Sequence, residues 1–208
     1  GNDIWGRQGD HRHMLPARLR RRALTAGCPS PWRRLQRQGM NGARTDQAFL
    51  TLDLADEVAT ANLAARLARL ARPGDVIALS GPLGSGKTAF ARAFIHARQA
   101  SETGYEEVPS PTFTLVQNYD VGDATIYHFD LYRLTHPDEA WELGIDEAFT
   151  EGISLIEWPD RLSGQLPPDH LDVALAHTAQ AGARAIRLTG RGAWSDRLTT
   201  AFAEARHD

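Results

Sequence analysis

Short apolar runs alternate with segments of helical periodicity along the chain, which is the pattern of an α/β protein. The apolar and β-rich runs predict seven strands, over 49–52, 75–80, 112–120, 125–131, 153–157, 171–176 and 183–188. Apolar residues at helical spacing predict four helices, over 54–72, 88–95, 138–149 and 195–205. The segment 121–123 is expected to join its two neighbouring strands as a hairpin.

The glycine-rich segment 81–88, GPLGSGKT, fits the phosphate-binding pattern G-x-x-x-x-G-K-[ST]. A predicted strand precedes it and a predicted helix follows it, which is the order that a P-loop requires. Lys87 is the only lysine of the chain, whereas the other 22 basic residues are arginines. The candidate phosphate-binding residues are Gly81, Leu83, Gly84, Ser85, Gly86, Lys87 and Thr88.

Backbone amides of such a loop surround a polyphosphate, and the positive end of the following helix adds to their field. We expect Lys87 to reach the β and γ phosphates and the Thr88 hydroxyl to bind Mg²⁺. The sequence therefore predicts a P-loop NTPase fold, in which helices flank a central mixed, mostly parallel sheet. Residues 45–208 are expected to form this fold as a single domain.

Two apolar runs in the predicted strands end in a carboxylate, 126–130 at Asp130 and 153–157 at Glu157. Carboxylates at the C-terminal edge of central strands lie beside the P-loop in this architecture, where they hold the metal or orient an attacking water. The spacing leaves open which of the two binds Mg²⁺.

The segment 109–114, PSPTFT, contains two prolines and three hydroxyl side chains, about 20 residues beyond the P-loop. If it is extended, Thr112 and Thr114 lie on one face, and both hydroxyls meet Mg²⁺ or the γ-phosphate. The alternative interpretation is that these threonines belong to the polar face of an ordinary strand.

Charge divides the chain into two unequal parts. Residues 1–44 contain ten arginines and two aspartates, with few apolar residues and no sustained periodicity, so this segment is predicted to be disordered. We interpret it as a cloning remnant or a mis-assigned start, with an RNA-binding arm as the alternative.

Cys28 is the only cysteine, which favours a cytoplasmic location. No run of about 18 apolar residues is present, so a membrane-spanning role is not expected.

Five sequence blocks resemble the TsaE (YjeE) family of bacterial ATPases over roughly residues 48–190. They are GPLGSGKT at 81–88, SPTFTLV at 110–116, HFDLYRL at 128–134, ELGID at 142–146 and IEWP at 156–159. The resemblance implies that Thr88 and Glu157 hold Mg²⁺ and that Asp130 is needed for hydrolysis. It also implies a switch loop at Thr112 and Thr114. The resemblance also implies that Trp158 lies beside the nucleotide or a partner surface.

The resemblance further implies an ATP-binding and Mg²⁺-dependent ATPase, with weak activity in isolation. Proteins of this family act on a complex of TsaD and TsaB during synthesis of N6-threonylcarbamoyladenosine at position 37 of tRNA. The expected partners are therefore TsaD and TsaB, and tRNA is reached indirectly through them. Binding to DNA or to a membrane is not expected.

Other functions remain compatible with the motifs. A small-molecule P-loop kinase shares the opening strand, loop and helix, although it needs an acceptor site and usually an arginine-bearing lid. A scaffold that binds nucleotide without turnover is a further alternative. A GTPase is disfavoured because its guanine-reading N/T-K-x-D motif needs a second lysine.

Overall fold

The computed structural model describes residues 47–99, 107–122 and 124–203. The strands are β1 (Gln47–Leu54), β2 (Val76–Ser80), β3 (Val116–Val121), β4 (Ala124–Asp130), β5 (Ile153–Glu157), β6 (Leu171–His177) and β7 (Arg184–Arg191). The helices are α1 (Glu57–Leu70), α2 (Lys87–Gln99), α3 (Glu139–Glu142), α4 (Ile145–Glu151) and α5 (Ala193–Ala201), with a 3₁₀ helix at Pro159–Leu162. The extension predicted over 1–44, and the last two residues of the helix predicted over 195–205, lie outside the described residues.

Within the described residues, seven strands form one sheet in the order β1-β7-β6-β2-β5-β4-β3. The four neighbours β6, β2, β5 and β4 are parallel, whereas the β1/β7, β7/β6 and β4/β3 pairs are antiparallel. Five strands, β1, β6, β2, β5 and β4, therefore point the same way. The predicted mixed, mostly parallel sheet and the β3/β4 hairpin are confirmed.

Hydrophobic clusters cover both faces of the sheet. One cluster contains apolar side chains of α1, α2 and α5 together with Ile77, Leu79 and Leu155 of the central strands. The other contains side chains of α3 and α4 together with Val76 and Ile156. Burial on both faces explains why β2 and β5 are almost entirely apolar in sequence. No helix in the described part of the chain is both long and apolar enough to cross a bilayer.

The topology brings three chain segments to one edge of the sheet. Because β2, β5 and β4 are adjacent and parallel, their C-terminal ends meet there. Those ends carry the glycine loop 81–86, Glu157 and Asp130, respectively. The fold therefore assembles the predicted site from segments that are far apart in sequence.

The single helix predicted over 138–149 is wrong. The segment forms two short helices, α3 and α4, separated by Gly144 at a φ of 76°. Left-handed backbone interrupts an α-helix, and glycine is the residue that adopts it at least cost. Apolar periodicity continues across the interruption because both helices pack on the same cluster.

The strand predicted over 112–120 begins later than expected, at Val116. Residues 111–114 form a turn instead, closed by a 2.6 Å hydrogen bond from the Leu115 amide to the Pro111 carbonyl. Leu115 itself has a φ of 66°, which is incompatible with a continuous strand. The assumption that Thr112 and Thr114 share one face of an extended chain is therefore wrong.

Candidate active site

The glycine loop begins at Gly81, at the end of β2, where the neighbouring strand β6 lies too close to leave room for a side chain. Gly81 has a φ of 137°, and a Cβ atom there would lie 2.2 Å from the Leu175 carbonyl oxygen. A residue with a side chain would have to adopt a disfavoured backbone conformation and displace β6 as well. The first glycine of the motif is thus required by packing as well as by loop geometry.

Two side chains from the far end of the chain hold the outside of this loop. The Arg184 guanidinium donates from Nε to the Ser85 carbonyl at 2.9 Å, and His177 Nε2 lies 3.2 Å from the Leu83 carbonyl. These two contacts fix the orientation of two loop carbonyls. Sequence reasoning missed both residues, because nothing local to β6 or β7 indicates that they touch a loop about 90 residues earlier.

Lys87 begins α2 and lies at the centre of the site, only 4 % exposed. Its ammonium donates to the carbonyls of Gly81 at 2.8 Å and Pro82 at 3.0 Å, and it lies 3.8 Å from the centroid of the Trp158 ring. Burial lowers the pKa of Lys87 below its ordinary value of 10.5, although nearby carboxylates, Glu157 foremost, oppose that shift.

Thr88 and Glu157 join the start of α2 to the end of β5. The Thr88 hydroxyl donates to Glu157 Oε2 at 2.9 Å, and His128 Nε2 lies 2.9 Å from Glu157 Oε1. The carboxylate is 2 % exposed. Both of its oxygens are therefore engaged, and one of them is shared with the hydroxyl that P-loop proteins use for the metal.

Thr112 and Asp130 form another part of the wall of the site. The Thr112 hydroxyl donates to Asp130 Oδ2 at 2.9 Å, and the Tyr132 amide donates to Asp130 Oδ1 at 3.1 Å. The Ser110 hydroxyl lies 2.7 Å from that of Thr112. A turn on one side and a strand end on the other thus fix this carboxylate.

The β4/β5 register explains why both carboxylates face the loop. Asp130 and Glu157 are direct partners in the parallel pairing, so their side chains lie on the same face of the sheet. Leu155, two residues before Glu157, packs in the cluster that contains α2. The two acids therefore point toward the helix that begins at Lys87.

These groups line one cleft of about 310 Å³. The predicted site residues that line it are Leu83, Gly84, Gly86, Lys87, Thr88, Thr112, Asp130, Glu157 and Trp158, and Ala89 and Tyr132 join them. Gly81 and Ser85 belong to the loop, and the Gly81 carbonyl contributes through its bond with Lys87. Thr114 is exposed and lies outside the lining of the cleft, so its contact with nucleotide stays a prediction.

Trp158 covers one side of this cleft. Its backbone is left-handed, with a φ of 60°, and its amide donates to the Leu79 carbonyl at 3.2 Å. The ring contacts the Lys87 ammonium on one side and the Tyr132 ring, centroids 4.9 Å apart, on another. An aromatic face against an ammonium is a favourable contact, so Trp158 stabilises the buried cation.

Burial of Lys87 has a consequence for the dependence of stability on pH. Because the folded-state pKa lies below 10.5, the folded protein binds fewer protons than the unfolded chain between the two values. The free energy of unfolding of the wild type, relative to that of a Lys87→Met variant, should therefore rise with pH as the pH approaches 10.5 from below. Urea denaturation of both proteins across this range measures the difference, and a flat or falling difference would contradict it.

Comparison with known proteins places the chain in a family. The family model described as "Threonylcarbamoyl adenosine biosynthesis protein TsaE" matches residues 54–186. The tRNA threonylcarbamoyladenosine biosynthesis protein TsaE of Rickettsia felis is 42% identical over 124 residues, which are 60% of this chain and 71% of that protein. The protein of the same name from Bacillus subtilis is 38% identical over 117 residues, 56% of this chain and 70% of its own.

A solved structure shares the fold. The crystal structure of Bacillus subtilis YdiB superposes with a TM-score of 0.60 and 30% sequence identity, covering 78% of this chain and 97% of that one. The predicted P-loop NTPase fold is confirmed. Since the family model spans more than half of the chain and includes the whole cleft, the chain belongs to the TsaE family of threonylcarbamoyl adenosine biosynthesis proteins.

Proposed function

We propose that this chain binds ATP with Mg²⁺ and hydrolyses it as an accessory protein in the synthesis of N6-threonylcarbamoyladenosine at position 37 of tRNA. In this role it acts on a complex of TsaD and TsaB and reaches tRNA through that complex. Family membership supports the pathway. The two partner proteins are those that the sequence resemblance implies. The chemistry of the cleft supports nucleotide hydrolysis.

The phosphates of ATP would occupy the loop and the start of α2. Backbone amides of a P-loop and the N-terminal end of its helix attract anions, and the Lys87 ammonium adds a full positive charge. In the structure that ammonium bonds to Gly81 and Pro82 carbonyls of the same loop. It is therefore already at the loop where β and γ phosphates bind.

The donors at Thr88 and Glu157 fit Mg²⁺. This ion prefers oxygen ligands and is commonly held by one or two carboxylates together with phosphates and water. The Thr88 hydroxyl and a Glu157 carboxylate oxygen lie 2.9 Å apart, beside the loop. When bound, Mg²⁺ would neutralise charge on the phosphates.

The pairing of Asp130 with Thr112 carries the proposal of hydrolysis. Asp130 is buried, and its carboxylate lines the same cleft as Lys87, beside Glu157 of the neighbouring strand. A carboxylate in this place can accept a proton from, or orient, an attacking water. Because Thr112 and the Tyr132 amide already fix the carboxylate, little reorganisation is needed.

The nucleoside would extend to the opposite side of the loop. A small recess there is lined by Gly86 and Ala89, which also line the cleft, and by Glu57, Thr60 and Arg184. At about 30 Å³ this recess is smaller than a purine ring, so the ring would lie against its rim, beside the Arg184 guanidinium. This placement leaves the γ-phosphate on the side of Asp130.

The proposal is tested by phosphate release from ATP, measured for the full chain alone and with TsaD and TsaB of the same organism. We expect turnover to rise with both partners and to be lost in Lys87→Ala. Thr112→Val and Thr114→Val form a matched pair, since each loses one hydroxyl at constant size. We expect Thr112→Val to lose turnover by about tenfold or more, because Asp130 loses the hydroxyl that fixes it. Thr114 is exposed outside the cleft, so Thr114→Val should stay within about twofold unless Thr114 makes the predicted contact with nucleotide.

Two results would contradict the proposal. Turnover that ignores TsaD and TsaB would remove the accessory role. Transfer of the γ-phosphate to a small acceptor, in place of water, would favour the kinase alternative.

A further inference from the structure

His128 is a polar residue in the interior of β4 whose side chain is 0 % exposed. Its Nε2 lies 2.9 Å from Glu157 Oε1, and an ionised carboxylate only accepts, so Nε2 carries the proton and donates. Its other ring nitrogen, Nδ1, is buried and finds no hydrogen-bond partner among the residues that the structure describes. The one bond to Glu157 is thus the polar contact that fixes the ring.

A histidine with an unpaired, buried nitrogen is a costly choice for a core position. An apolar residue of similar size would fill the same space without that cost, because Ile126 two residues earlier and Leu155 opposite are both apolar core residues. Packing alone therefore gives no reason for an imidazole here. The bond to Glu157 provides one.

Glu157 has a competing partner close by. Lys87 and Glu157 line the same cleft, and Thr88, whose hydroxyl bonds Glu157 Oε2, directly follows Lys87 in α2. A glutamate side chain has three rotatable bonds, so without a second restraint it can turn away from Thr88 toward the ammonium. The hydrogen bond from His128 to Oε1 leaves Oε2 directed at the Thr88 hydroxyl.

We propose that His128 is a positioning residue for Glu157, the carboxylate of the proposed Mg²⁺ site. Its Nε2 bonds to Glu157 Oε1 and so keeps Oε2 directed at the Thr88 hydroxyl, the other proposed ligand of the metal. This inference rests on the proposed function, since it assigns a role within the proposed Mg²⁺ site. Residues that orient a metal ligand from behind typically change metal affinity by about 10–100-fold when they are replaced.

The test compares two amides of different reach. In His128→Gln the amide nitrogen lies near the place of Nε2 and can still donate to Glu157, whereas in His128→Asn it lies near Nδ1 and falls short. Ile126→Val is the matched control, since it trims a core side chain on the same strand and the same face. Each full-length protein is titrated with Mn²⁺ in the presence of the ATP analogue AMP-PNP, with binding followed by electron paramagnetic resonance. Thermal unfolding and AMP-PNP affinity in EDTA are measured in parallel.

We expect His128→Asn to weaken Mn²⁺ binding by about 10–100-fold, and His128→Gln and Ile126→Val to stay within about threefold of wild type. AMP-PNP affinity in EDTA should be similar in all four proteins. Mn²⁺ binding by His128→Asn within threefold of wild type would overturn the inference, and so would equal losses in the Gln and Asn variants. If the Asn variant does not fold, the Gln variant decides, and a tenfold loss there overturns it. If wild type itself binds no Mn²⁺, the metal site of the proposed function fails together with this inference.

Discussion

An Asp130→Asn variant is expected to bind ATP normally and to lose hydrolysis by about 10²–10⁴-fold. The asparagine side chain has nearly the same size. Its oxygen can accept from the Tyr132 amide and its NH2 group can donate to the Thr112 hydroxyl, which can turn its own proton to Ser110, so both neighbours should stay in place. It cannot take a proton from water, because the amide lacks the charge and basicity of a carboxylate. Phosphate release under single-turnover conditions measures the loss, and calorimetric titration with AMP-PNP measures binding.

Asp160→Asn is the control for the change in charge. Asp160 is the third carboxylate that acts on Lys87, after Glu157 and Asp130, but it is exposed and does not line the cleft. Removal of its charge should leave turnover within about threefold of wild type. Asp130 would not be the group that orients water if Asp130→Asn kept more than about a third of wild-type turnover. The same would follow if Asp160→Asn lost as much turnover as Asp130→Asn.

Local sequence was sufficient to predict the loop and both strand-end acids. A P-loop is continuous in sequence, and its strand, loop and helix occur in a fixed order, so no long-range contact is needed to identify Lys87 and Thr88. Asp130 and Glu157 were found because buried parallel strands are apolar throughout and a terminal carboxylate is conspicuous. The roles of these residues in catalysis remain predictions.

Contacts between distant segments were not predictable in the same way. His128 reads as one more residue of an apolar strand, and its bond to Glu157 depends on the β4/β5 register. Arg184 and His177 contact the loop only because β6 pairs with β2 and β7 pairs with β6. Periodicity reports which face of an element is buried, but not which element covers it.

Single residues with left-handed backbone explain the two errors in secondary structure. Gly144 divides a segment whose apolar pattern is continuous, and Leu115 ends a turn where β-rich composition predicted a strand. The second error matters for the site, because the turn separates the Thr112 hydroxyl, which contacts Asp130, from Thr114, which is exposed. Tertiary contacts, here the bond between the Asp130 amide and the Leu115 carbonyl, override the local preference.

A Gly81→Ala variant is expected to lose about 3–5 kcal/mol of the free energy of unfolding and to bind ATP more weakly. The added methyl would meet the Leu175 carbonyl oxygen at 2.2 Å, and the φ of 137° is one that residues with side chains rarely adopt. Backbone strain of this kind costs about 1–3 kcal/mol, and overpacking between two core strands costs a similar amount. Relief requires β2 and β6 to separate at the point where the loop starts, which also displaces the carbonyl that Lys87 bonds.

Gly84→Ala separates the two contributions, because its backbone is also left-handed but its surroundings are open. Its φ is 75°, and the nearest atom to an added methyl, His177 Cε1, lies 3.8 Å away. This variant should therefore lose only the backbone term, about 1–2 kcal/mol. Urea denaturation of both variants measures the difference, which reports how tightly β6 holds the start of the loop. Equal losses would mean that the Leu175 carbonyl moves aside at little cost, and the loop would then owe its shape to glycine conformation alone.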